Sequence, residues 1–247
     1  EFTAEAGPWR PWRFWASRRR VDPRGMSRPR PTAGADHRLP LRGPAIYHHA
    51  MHLLLPHNRS LALDRPRIVG VLNVTPDSFS DGGKYRSQDE AVVAALAMVE
   101  AGADVIDIGG ESTRPGADRI DSKEQQRRVL PVIEQLRQRS EVAISIDTTR
   151  GDVAAAALDA GADLVNDVSA GREDGTMFAL VAERGVPVVL MHMRGEPATM
   201  QHDPRYDDVV AEVSRFLADR AAAAEQAGVA REQIVVDPGI GFGKTTD

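Results

Sequence analysis

The 247 residues carry a net charge of −5 at pH 7 and include no Cys, which excludes disulfides, thiolate metal sites and cysteine nucleophiles. Charge is unevenly spread: residues 1–60 hold eleven Arg, no Lys and four acids, whereas the remainder holds 20 basic and 32 acidic residues. An acidic body argues against general nucleic-acid binding, and no apolar run approaches the roughly 18–20 residues of a membrane span. The arginine-rich start lacks the apolar core of a signal peptide, so a cytoplasmic protein without a membrane partner is expected.

Residues 1–50 follow neither a helical nor a strand period and carry all three Trp (Trp9, Trp12 and Trp15) among frequent Pro. They read as a disordered or non-native extension; the alternative is an Arg10–Arg20 arm for nucleic acid or membrane. Residues 51–66 read as a hairpin turning at Pro56-His57-Asn58-Arg59 and closing the amino-terminal end of a barrel.

From residue 67 the chain alternates short Val/Ile/Leu runs with helical stretches. Strands are predicted at 67–75, 104–109, 143–147, 164–168, 186–191 and 234–237. Their continuous apolar character fits strands buried on both faces. Helices are predicted at 87–101, 122–139, 151–160, 174–184 and 204–227. Ser87 is the expected N-cap of the first, with Glu90 at capping-box spacing, and most stop at Gly. Every strand ends in a polar cluster, which favours a TIM-type (β/α)8 barrel over an open sheet with one ligand crevice. Six of the eight strands of such an α/β barrel are present, so residues 67–247 are expected to be a C-terminally incomplete barrel.

Several suggestive motifs fail. Gly239-Ile240-Gly241-Phe242-Gly243-Lys244-Thr245 resembles a phosphate loop, but the spacing demands Gly where Pro238 stands. After residue 60 the only His are His192 and His202, too few for clustered metal ligands, and no nucleophile elbow occurs. What remains is a ring of amides and carboxylates at strand ends: Asn73, Asp147, Asn166 and Asp237. Around one mouth they suit a flat heterocycle bearing amino and oxo groups; singly, each is as well explained as a helix cap. The loop from Glu111 to Gly116, with Ser112, Thr113 and Arg114, joins the Asn73 loop in offering hydroxyls, a guanidinium and a hard-metal ligand for a pyrophosphate with Mg²⁺. Phe79 and Pro115 form an apolar slot if the loops close. The residues alone reach a transferase or lyase of a phosphorylated substrate.

Residues 73–83 (NVTPDSFSDGG) and 107–116 (DIGGESTRPG) resemble the two signatures of the dihydropteroate synthase family. Segments 145–148 (SIDT), 165–169 (VNDVS), 190–193 (LMHM) and 237–244 (DPGIGFGK) follow in the family's order, so the resemblance covers about 61–247. It implies a pterin-binding β/α barrel, a homodimer when complete, that joins p-aminobenzoate to a 6-hydroxymethyl-dihydropterin pyrophosphate in folate synthesis. By the same resemblance Asp147, Asn166 and Asp237 hold the pterin and Met191 packs on it. Asn73 ligates Mg²⁺, Thr113 and Arg114 meet the substrate near its pyrophosphate, and Phe79, Pro115 and Phe242 line the p-aminobenzoate and sulfonamide site. Two departures stand out. Thr149-Arg150 replaces the family's usual Ser-Lys-Pro, and the family's basic segments at strands seven and eight would lie beyond Asp247. The alternatives are a truncated, inactive pterin-binding homologue and a pterin-dependent methyltransferase.

Overall fold

The computed structural model describes residues 51–75, 84–111, 119–195 and 204–245. The region expected to be an extension, 1–50, lies outside them.

Two short strands open the described chain, β1 (His52–Leu55) and β2 (Arg59–Ala62), paired antiparallel as a hairpin. His57 and Asn58 both take φ of +58°, the left-handed turn geometry that Asn tolerates best among non-glycine residues. Six parallel strands follow in sequence order: β3 (Val69–Asn73), β4 (Val105–Gly109), β5 (Ala143–Asp147), β6 (Leu164–Asp167), β7 (Val188–Met191) and β8 (Ile234–Asp237). Five helices alternate with them: α1 (Lys84–Glu100), α2 (Ser122–Arg139), α3 (Gly151–Asp159), α4 (Met177–Arg184) and α5 (Val209–Gln226). This is the α/β order that the apolar runs foretell.

Three helix starts differ from expectation. Ser87 lies inside α1, because Lys84, Tyr85 and Arg86 contain no helix breaker and the winding begins before it. Asp174 lies ahead of α4: its carboxylate accepts from Thr176 N (2.8 Å) and from Gly151 N (2.7 Å), tying that turn to the start of α3. A Cβ on Gly151 would fall 2.5 Å from Thr176 Oγ1 and 3.1 Å from Asp174 Oδ2, so a larger residue there displaces the side chains of this turn. Helix α5 starts at Val209, where Asp208 caps by accepting from Ala211 N at 3.0 Å.

Alternation along the strands separates two environments. One face carries Leu72, Ile106, Ile108, Ile144, Ile146, Val165, Val188 and Leu190, all buried beneath the helices in one core with Val129, Val132, Ile133 and Leu136 of α2. Each such side chain contributes about 1.5–3 kcal/mol on leaving water. The other face begins, at the amino-terminal ends, with Val105, Ala143 and Leu164. Leu55 of the hairpin is buried against these three. The hairpin therefore covers the amino-terminal end of that face.

The floor is also held by charge. Asp163, just before β6, is 1% exposed and accepts from Ile144 N (2.9 Å), from Arg137 Nη2 (2.6 Å) and from Arg59 of β2. Burial pushes its carboxyl up, and the Ile144 N–H and the two guanidinium groups oppose that. Arg137 also donates to the carbonyls of Gly161, Ser140 and Val142 at 3.0–3.1 Å. No described helix is long and apolar enough to cross a membrane. Replacing Arg137 by Ala is expected to cost about 3–5 kcal/mol, because a buried carboxylate and three carbonyls lose donors together. A fall in the urea midpoint at unchanged slope is the measurement that checks it.

Candidate active site

Strand register assembles the site. Asn73 pairs with Gly109, Gly109 with Asp147, and Asp147 with Asn166. Met191 pairs with Asp237 at the ends of β7 and β8. By two-residue alternation, all six fall on the face away from the helices. That face therefore grades upward. Val105 and Ala143 form the base, Asp107, Ser145 and Leu164 the next level, and the amides and carboxylates the mouth. Gly109 supplies space there: a Cβ at that position would lie 3.3 Å from Asp147 Oδ2 and 3.4 Å from Asn73 Oδ1. The Asn73 and Asp147 oxygens thus converge over a residue without a side chain.

The mouth is acidic. Asp147 is half-buried, and its carboxyl is held well above the usual range by burial first, then by the negative charges of Asp107, Asp167 and Glu111. Asp107 is buried, and burial raises its carboxyl also, while the nearby Ser145 hydroxyl and the Asn166 amide act to lower it. Asn166 Nδ2 donates to Asp107 Oδ2 at 2.9 Å. Asp167 faces the opposite way and holds the following loop, accepting from Ser169 N (2.8 Å), Ser169 Oγ (2.7 Å) and Gly171 N (2.7 Å). Behind β4 and β5, buried Gln125 of α2 donates to Glu111 Oε2 (2.6 Å) and accepts from Thr148 Oγ1 (3.0 Å). One helix side chain so fixes the exits of two strands.

At the β7–β8 side, Met191 and Met193 are buried with Val168 and Phe242 packed against them, which makes one apolar wall. The glycine-rich segment is what builds this wall. Gly239, Gly241 and Gly243 all take positive φ, at +64°, +93° and +64°. A Cβ on Gly239 would lie 2.0 Å from His192 O, and one on Gly243 would lie 2.8 Å from Arg194 O. Lys244 folds back: its Nζ donates to Gly239 O (2.9 Å), Phe242 O (3.1 Å) and His192 O (3.3 Å) and meets His192 Nδ1 at 2.9 Å. An ammonium only donates, so Nδ1 is the acceptor in this pair, and burial holds the imidazole pKa down. The segment's glycines bring two loops into contact and its lysine is spent within them, which explains the failed phosphate-loop spacing.

Of the expected site residues, the structure brings Asn73, Asp147, Asn166, Met191 and Asp237 to one mouth and sets Phe242 against Met191. Asp237 also accepts from Gly239 N at 2.7 Å, so one carboxylate oxygen shapes its own turn. Phe79, Thr113, Arg114 and Pro115 lie outside the described residues. Sequence reading missed the roles of Asp107, Gln125 and the His192–Lys244 pair. A signal existed for the first, an acid two residues before Gly109 inside an otherwise apolar run. Among the described residues no three His, Asp or Glu side chains group to hold a metal.

Residues 69–247 match the family described as pterin binding enzyme. The chain is 50% identical over 191 residues to dihydropteroate synthase of Escherichia coli (strain K12), covering 77% of this chain and 67% of that protein. It superposes on Xanthomonas albilineans dihydropteroate synthase with 4-aminobenzoic acid at a TM-score of 0.73 and 50% identity, covering 80% of this chain and 69% of that one. The same enzyme in complex with 7,8-dihydropteroate gives 0.69 at 47% identity, with 79% and 68% covered. The chain thus spans about two thirds of the length of these relatives.

The glycine segment yields a graded expectation. Gly239→Ala forces the β7–β8 loops apart and lowers the melting temperature sharply. Gly241→Ala, with nothing within 4 Å of its Cβ, costs only the left-handed strain of about 1–2 kcal/mol. Paired thermal melts of the two variants measure the difference.

Proposed function

This chain belongs to the pterin binding enzyme family, and from that premise we propose that it acts as a dihydropteroate synthase, a transferase of folate biosynthesis. The substrates are a 6-hydroxymethyl-7,8-dihydropterin pyrophosphate and p-aminobenzoate; the products are 7,8-dihydropteroate and pyrophosphate. The observation that carries this reading is the convergence of Asn73, Asp147, Asn166 and Asp237 on one strand-end face beside the Met191–Phe242 wall. Carboxylates and amides there accept and donate to the edge of a flat amino-oxo ring, while Met191 offers it an apolar, polarizable surface. Phe242, in contact with that wall, suits the neighbouring arylamine.

In the reaction the carbon–oxygen bond to pyrophosphate breaks, and the arylamine nitrogen forms the new bond to the methylene carbon and then loses a proton. No side chain is required as nucleophile. The protein aligns two bound substrates and stabilises charge on the departing oxygens, the term that preorganised donors supply best. The Asn73 amide oxygen, set beside the Asp147 carboxylate over Gly109, is a hard donor suited to Mg²⁺, which keeps several waters and takes few protein ligands. Asn73 would hold such an ion together with substrate phosphate oxygens, and the ion when bound supplies charge neutralisation of the leaving group. Thr113 and Arg114 complete the pyrophosphate contacts in this reading, and Phe79 and Pro115 complete the arylamine slot.

Pyrophosphate release is measured with both substrates present, in Mg²⁺ or in chelator, and 7,8-dihydropteroate is identified in the mixture. Release that needs both substrates and the ion is the expected outcome. Asp147→Ala and Asn73→Ala each lower kcat/KM by about 10²–10³, the scale of one lost preorganised contact. Tight pterin binding with no release would instead leave a binding protein, and release without the arylamine would leave a hydrolase.

A further inference from the structure

Asp107 is the buried acid that this mechanism leaves unused. Its Oδ2 accepts from Asn166 Nδ2 at 2.9 Å, whereas its Oδ1 is buried without a hydrogen-bond partner among the described residues. An orphaned buried carboxylate oxygen is costly, and apolar residues fill the same strand face nearby at Val71, Val105 and Leu164. Packing alone thus gives no reason for an acid at this level, and its Oδ2 hydrogen bond goes to Asn166.

We propose that Asp107 is a positioning residue: by taking the Asn166 N–H, it fixes which end of that amide faces the mouth, so that Asn166 presents an acceptor oxygen to the heterocycle. The inference rests on the pterin reading of the site. Its basis is the donor and acceptor inventory. An Asn amide can be turned about its last torsion to exchange oxygen and nitrogen at little internal cost, so a neighbour must choose. Asp107 lies one level below the mouth, in register with Ser145, and Asn166 is in register with Asp147 at the level above. Nδ2 committed downward turns Oδ1 away from Asp107. The Asn166 oxygen and the Asp147 carboxylate then stand on neighbouring strands as two acceptors. That pair fits a ring edge with adjacent N–H and NH₂ donors; with the amide reversed, its NH₂ would pair with Asp147 and close the edge to ligand.

Three variants separate this from a packing role. In Asp107→Asn the new amide can donate to Asn166 Oδ1 and turn the Asn166 NH₂ to the mouth. Asp107→Ala removes the partner without supplying a competing donor. The swap of Asp107→Asn with Asn166→Asp restores an acceptor at the mouth with an N–H donor beneath it. Binding of 6-hydroxymethylpterin is titrated for each, alongside thermal melts and the side-chain amide signals of Asn166 in a ¹⁵N–¹H spectrum.

The expected result is that Asp107→Asn weakens pterin binding by about tenfold or more, weakens it more than Asp107→Ala does, and moves the Asn166 amide signals. The swap recovers most of the loss, and all variants melt cooperatively. A packing role gives the reverse order, with Ala worse than the isosteric Asn, and would overturn the proposal. So would wild-type affinity in Asp107→Asn, or unmoved Asn166 signals. If the wild-type chain binds no pterin, the heterocycle assignment of the site fails. The amide spectra still decide the orientation: a shift upholds it and its absence overturns it.

Discussion

Everything at the mouth depends on strand register. Asn73, Gly109, Asp147 and Asn166 share one level because each is the other's ladder partner. A slip of one residue anywhere between β3 and β6 would turn those groups toward the helices and bring Leu72, Ile108, Ile146 or Val165 to the mouth. The apolar face forbids that slip. Its side chains are almost wholly buried beneath α1–α4, and none could be exchanged for a carboxylate without an unpaired charge in the core. Specificity of the site is thus enforced by packing on the opposite side of the sheet.

The electrostatics of the mouth follow from the same arrangement. Asp107, Asp147 and Glu111 are brought near one another by adjacent strands, and Asp167 adds its charge from behind. Burial first, and like charge second, favour the protonated carboxyl at Asp147. Donors from a ring edge, or a cation, brought beside it favour the charged form instead.

Much of this was legible in the order of residues. The runs at 143–147 and 234–237 are apolar blocks closed by an acid, and the strands lie where they were read. Helix α2 was also bounded correctly, since Asp121, Gln125 and the apolar spacing from Val129 to Leu136 leave little freedom. The start of α1 was misplaced because nothing ahead of Ser87 breaks a helix, and those of α4 and α5 because local polar residues have competing uses. Asp174 serves a turn and a neighbouring helix rather than its own, which no single-segment rule reveals. At the site, strand-end polarity exposed Asn73, Asp147, Asn166 and Asp237. Residues acting through others stayed hidden: Gln125 reads as an ordinary helix-surface amide, and Lys244 has no assigned role in the sequence until its four acceptors are seen.

The hairpin floor has a temporal side. Leu54 exchanges hydrogen bonds with Gln233, at 3.1 Å through its N–H and 2.7 Å through its carbonyl, across a sequence separation of 179 residues. On a ribosome, the first strand of the described residues is therefore among the last to be fully anchored. Its final anchor is synthesised only after five parallel strands and five helices exist. Until then the Leu54 N–H and carbonyl lack the Gln233 amide. Non-local closure of this kind slows folding and exposes intermediates to self-association. The element that seals the base of the sheet is thus also the one that ties the nascent chain's safety to the speed of its own translation.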